Sequence, residues 1–95
     1  MKILVLKVTI RASWVHSLKE KRMVLLSITK RIANKFNVSV GEVASQDEHK
    51  LIVIGISAVG TSGKVLSATK ESIINFIEEN TDGEIIDIEE DLIQY

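Results

Sequence analysis

A four-stranded antiparallel sheet with two helices on one face, the ferredoxin-like split βαββαβ sandwich of the α+β class, is the fold this sequence predicts. Two observations carry it. The hydrophobic period switches between two and 3.6 residues in the order strand, helix, strand, strand, helix, strand. Only the polar run Gln46-Asp47-Glu48 and His49 separate the second strand from the third, which makes those two an antiparallel hairpin. Right-handed crossovers then place both helices on the same side of the sheet. No linker, repeat or low-complexity stretch interrupts the chain, so residues 1–95 read as a single domain, long enough for one core without staples.

Met1–Ala12 is the first strand, with Leu4, Leu6, Val8 and Ile10 on one face and Ile3, Val5, Lys7, Thr9 and Arg11 on the other. A strand apolar on nearly both faces belongs in the middle of its sheet. Ser13–His16 is a short connection carrying the only tryptophan, Trp14. Ser17–Asn37 is the first helix, opened by a Ser17/Glu20 capping box and closed near Phe36, with Asn37 available for a left-handed cap. Leu18, Leu25, Ile28, Ile32 and Phe36 form its apolar stripe. Val38–Ser45 is a β-branched second strand in which Gly41 suggests a bulge or close packing. Lys50–Val59 is the third, with Ile52, Ile54, Ile56 and Ala58 toward the helices and Leu51, Val53, Gly55 and Ser57 away from them. The second helix runs from the Gly60–Gly63 turn to about Glu79, with Leu66, Thr69, Ile73, Phe76 and Ile77 inward. After the turn Asn80–Gly83, Glu84–Ile93 is an acidic strand, expected at an edge because charge there discourages edge-to-edge pairing.

The composition, 45% hydrophobic and 26% charged, is that of an ordinary globular domain. With no cysteine there is no disulfide, thiolate metal site or thiol nucleophile, which agrees with a reducing cytosol. Lys7 interrupts the apolar opening and no small-residue cleavage site follows, so no signal peptide is expected there. Nothing approaches membrane-spanning length. A net charge of −1 conceals an asymmetry: residues 1–50 carry ten Lys/Arg against four Asp/Glu, and residues 51–95 carry two against nine. The halves either build one basic and one acidic face or neutralise each other within the fold or across a dimer.

Six of the twelve cations lie on the first helix: Lys19, Lys21, Arg22, Lys30, Arg31 and Lys35. With Arg11 they form the candidate nucleic-acid-binding set, able to follow a phosphate backbone with little sequence preference. Lys21 and Arg22 project near the apolar stripe, so either their stems lie on the sheet and their heads reach water, or they bind an anion. Stacking of bases on the sheet is not expected, because Trp14, Phe36, Phe76 and Tyr95 all lie off the central strands. The open sheet face gathers Ile3, Val5, Leu51 and Val53, an aliphatic cluster that reads as a homodimer interface.

No motif supports an enzyme. Gly60-Thr61-Ser62-Gly63-Lys64 lacks the spacing of a phosphate loop and reads as a turn with a Ser/Thr helix cap. His16 and His49 show no ligand spacing, and the acidic run from Glu84 to Asp91 lacks that of a calcium loop. No cofactor, metal or catalytic residue is expected.

Ser17-Leu18-Lys19-Glu20-Lys21-Arg22, Lys35-Phe36-Asn37-Val38-Ser39, Glu42-Val43 and Gln46-Asp47 together resemble the YlxP-like family of uncharacterised bacterial proteins, domain of unknown function 503. The resemblance spans essentially the whole chain and implies a ferredoxin-like fold in a cytoplasmic bacterial protein. Family members tend to be encoded beside translation factors and ribosome-binding factor A, which implies a link to RNA or the ribosome. Members often carry a large aromatic residue after the Gln-Asp pair, where this chain has Glu48-His49. Two expectations follow: an accessory factor binding RNA or a ribosomal surface through its basic first helix, or a homodimeric interaction module with no nucleic-acid partner.

Overall fold

The computed structural model describes residues 1–95. Its elements are β1 (Lys2–Arg11), α1 (Leu18–Lys35), β2 (Ser39–Ala44), β3 (Leu51–Gly60), α2 (Gly63–Asn80) and β4 (Glu84–Gln94). The strands form one antiparallel sheet in the order β2-β3-β1-β4, the ferredoxin-like arrangement expected from the sequence. No helix is long and apolar enough to cross a membrane.

The core lies between the helices and the even-numbered residues of the two central strands. Leu6, Val8 and Ile10 of β1 and Ile52, Ile54 and Ile56 of β3 pack against Ile28 and Ile32 of α1 and Ile73 and Ile77 of α2. Each of these side chains contributes about 1.5–3 kcal/mol by leaving water. Ala12 and Val15 are equally buried, so the connection after β1 is part of the core rather than a surface loop. A smaller cluster of Leu4, Ala58 and Leu66 closes the other end. Phe36 and Phe76 meet edge-to-face at 5.7 Å and join the end of α1 to α2.

The helix starts follow their residues. Ser17 Oγ accepts from the Glu20 amide at 3.1 Å, and Ser62 Oγ accepts from the Val65 amide at 3.3 Å. The glutamate of the first cap returns to the His16 amide, one residue before the position a capping box normally uses. Asn37 does not take the left-handed conformation: the cap of α1 is Phe36 with extended backbone, its amide donating to the Ile32 carbonyl. The positive φ belongs instead to Ser45, at 55°, in the turn after β2.

Two irregularities shape the open face. Glu42 pairs with Ile54 and Ala44 with Val53, so the extra residue in β2 is Val43 rather than Gly41. The displaced Val43 side chain lies on Gly55, where an added Cβ would sit 2.6 Å from Val43 Cγ1. In β4 the extra residue is Ile86, because Thr9 pairs with Asp87 and Ile10 with Ile85.

Candidate nucleic-acid interface

The cations of the first helix separate into one buried group and several exposed ones. Lys21 is 2% exposed and the only buried charged residue. Its Nζ donates to the Ser45 carbonyl at 2.6 Å and the Glu48 carbonyl at 2.7 Å, and lies 3.1 Å from Glu42 Oε2. The expectation that its head reaches water is therefore corrected. With three oxygens around one ammonium, no donor remains for a phosphate. Lys21 holds onto α1 the β2–β3 turn that contains Ser45 at positive φ. Lys50 acts similarly on the loop after β1, donating to the Ser13 and Val15 carbonyls at 2.8 and 3.2 Å. Neither role was readable from spacing, since the acceptors are main-chain atoms far along the chain.

Lys19, Arg22, Lys30, Arg31 and Lys35 are exposed. At 100° per residue Lys19 and Lys30 lie on the side of α1 away from the sheet, about 16 Å apart along its axis, and Arg22 lies on the flank between them and Leu18. Met23 and Leu26 lie among them, 66% and 68% exposed. Arg31 and Lys35 occupy the flank toward α2. Arg31 borders a groove of about 290 Å³ with Trp14 and Asn80, and the Lys35 ammonium sits 5.0 Å above the Phe76 ring. Arg11 does not join this surface. Its neighbours Ile10 and Ala12 are buried, so alternation turns Arg11 onto the opposite, open face of the sheet.

None of these six exposed cations forms an ion pair, and α1 does not touch β4. The acids of β4 are held elsewhere, by Lys7–Glu89 at 2.9 Å and Lys70–Glu90 at 2.7 Å. The hydrogen bond to Glu89 raises the pKa of Lys7 above the ordinary lysine value, and the bond to Glu90 does the same for Lys70. The basic helix and the acidic strand thus remain separate surfaces.

On the open face Ile3 and Leu51 are half-buried and Val5 is 39% exposed. Val53 is 4% exposed and leaves the expected interface. Its cross-strand neighbours are Thr9 and Ala44, and the β2 bulge brings Val43 onto the adjacent Gly55. A shallow hollow of about 530 Å³ lies beside it, bordered by Val5, Lys7, Gly41 and Val43. Gly60 ends β3, Ser62 caps α2 and Gly63 begins it, as the turn-and-cap reading expects. His16 is exposed and His49 half-buried.

Comparison with known proteins gives two findings. Residues 3–90 match the family described as "Protein of unknown function (DUF503)". The chain is also 42% identical over 62 residues to a Bacillus subtilis (strain 168) protein named "Uncharacterized protein YlxP", the match covering 65% of this chain and 67% of that one.

Proposed function

The chain belongs to the DUF503 family of proteins of unknown function, and from that premise we propose that it is a cytoplasmic accessory factor binding the phosphate backbone of RNA, free or on a ribosomal surface, through α1. The observation that carries the reading is the set of unpaired cations: Lys19, Arg22, Lys30, Arg31 and Lys35 are exposed and no acid of the chain neutralises them. Cations free in this way release counterions from a polyanion on contact, which gives affinity without base recognition. Met23 and Leu26 add apolar contact between them. The function is binding, with no chemical step. Lys21 is outside the surface, and Arg11 could reach RNA only around the sheet edge.

The test is binding to a mixed RNA pool and to total ribosomes across a salt titration. The logarithm of affinity should fall linearly with the logarithm of salt concentration, and Lys19→Glu/Lys30→Glu should lower that slope by roughly one unit per cation. Binding by the double variant equal to that of the unaltered protein would remove α1 from the interface.

The open face supports a second reading, a homodimeric module. Ile3, Val5 and Leu51 lie there with Val43 and Val59, which are 54% and 65% exposed. A face of this kind in a small domain is the sort that subunits cover.

A further inference from the structure

The outer edge of β4 is open along its whole length. β4 is an end strand of 11 residues, whereas the opposite end strand, β2, has six and is broken by the Val43 bulge. End strands are protected against pairing by being short, bulged or charged; β4 is neither short nor bulged beyond Ile86, and its acids repel another acidic strand but not a cationic one. Its backbone pattern is fixed by its far end. Met1 and Tyr95 exchange both backbone bonds, at 3.2 and 2.7 Å, so theirs is a hydrogen-bonded pair. Alternation then gives Ile93, Asp91 and Glu89 to β1, and turns the backbone groups of Gln94, Leu92, Glu90 and Ile88 outward. The Leu92 amide agrees: it is bonded to the Asp91 carboxylate at 2.8 Å, not to β1.

The side chains flanking this edge differ in kind. Toward the helices lie Ile88 and Leu92, 38% and 43% exposed, with Glu90 between them held by Lys70. Toward the open face lie Asp87, Glu89 and Asp91, of which only Glu89 has a cationic partner. A second copy of β4 is a poor occupant. Antiparallel self-pairing about Ile88 sets Asp87 against Glu89, and pairing about Glu89 or Glu90 sets a glutamate against itself. Registers centred near either end of the strand avoid this but join only short stretches.

We propose that the β4 edge is a strand-addition site for an extended protein segment in which Lys or Arg alternates with aliphatic residues. The outward amides and carbonyls of Ile88, Glu90 and Gln94 and the Leu92 carbonyl continue the ladder, and the Leu92 amide joins it by exchanging its bond to the Asp91 carboxylate for one to the segment, which frees that carboxylate for a cation. The segment's cations face Asp87 and Asp91, and its aliphatic side chains cover Ile88 and Leu92. The surface is separate from α1 and independent of RNA binding.

The probe is a fluorescein-labelled, end-blocked nine-residue peptide of alternating Lys and Val, titrated by anisotropy against the full chain. Binding should weaken at least about tenfold for Asp87→Lys/Asp91→Lys. It should be lost for Leu92→Pro, which removes an outward amide without breaking the ladder to β1. Lys19→Glu/Lys30→Glu should leave it unchanged, which separates this site from the RNA surface. Hydrogen exchange at Ile88, Glu90 and Gln94 should slow in the complex. Four results would overturn the proposal: no binding at millimolar peptide, equal binding of a peptide N-methylated at alternate residues, equal binding by the charge-reversed variant, or a dimer of the protein alone that protects the same amides.

Discussion

At Lys21 one ammonium serves two main-chain carbonyls and one carboxylate inside the fold, and its neighbours show what its loss would do. Replacing it with Met keeps the stem but orphans the Ser45 and Glu48 carbonyls and leaves Glu42, 20% exposed, without its partner. Removing one member of a buried pair costs about 3 kcal/mol or more, so Lys21→Met should lower the urea midpoint sharply. Glu42→Gln keeps an acceptor and leaves both carbonyls bonded but strips the buried ammonium of its counter-charge, so its cost should exceed the roughly 1 kcal/mol of a neutral hydrogen bond and stay below that of Lys21→Met. Equal costs for the two would mean that the carbonyl bonds contribute little. At neighbouring Arg22 the charge stays in water, although the two residues look alike in sequence.

β4 is an end strand, hydrogen-bonded to the sheet on one side only. It pairs with β1 along its length but meets the helix layer only at α2, where Lys70 bonds Glu90. On the open side Lys7 bonds Glu89. Both lysines have raised pKa values because of these bonds. A raised folded-state value gives stability that is complete below the unfolded lysine value of about 10.4 and is lost as pH rises through the folded one. Thermal unfolding should therefore show a full, pH-independent contribution from these two groups between pH 6 and about 9, and a decline above about pH 10.5 that is shallower in Lys7→Met/Lys70→Met. A decline of the same steepness in the variant would assign the alkaline loss to other groups. The size of the effect is limited by exposure, since solvent screens surface pairs.

Over the whole molecule, the basic and acidic surfaces lie in different places. Cations without partners cover α1, where Met23 and Leu26 are also exposed, acids collect on β4 at the far edge of the sheet, and Val5, Val43 and Val59 are exposed on the open face. If that face joins two subunits, sedimentation at high micromolar concentration should show a dimer, and Val5→Glu should return it to monomer by placing a charge in the apolar patch. A monomer at that concentration would remove the homodimer reading and leave the RNA reading intact, because α1 is on the other side of the sheet.

Element order, strand order, the two helix caps and the inward set of isoleucines were all legible in the sequence. Each rests on local information: a period of two or 3.6 residues, a Ser followed by Glu, a polar run too short for anything but a hairpin. The six-to-one division of the candidate cations was not legible, nor was the burial of Val53 or the separation of Arg11 from α1. Those were decided by the tertiary structure, because each depends on what lies opposite in space. Lys21 meets carbonyls 24 and 27 residues away, and Val53 sits next to a bulge that no period announces. A periodic pattern states which way a side chain points. Only the packed chain supplies the atoms it meets there, and so decides whether a charge stays in water or becomes part of the interior.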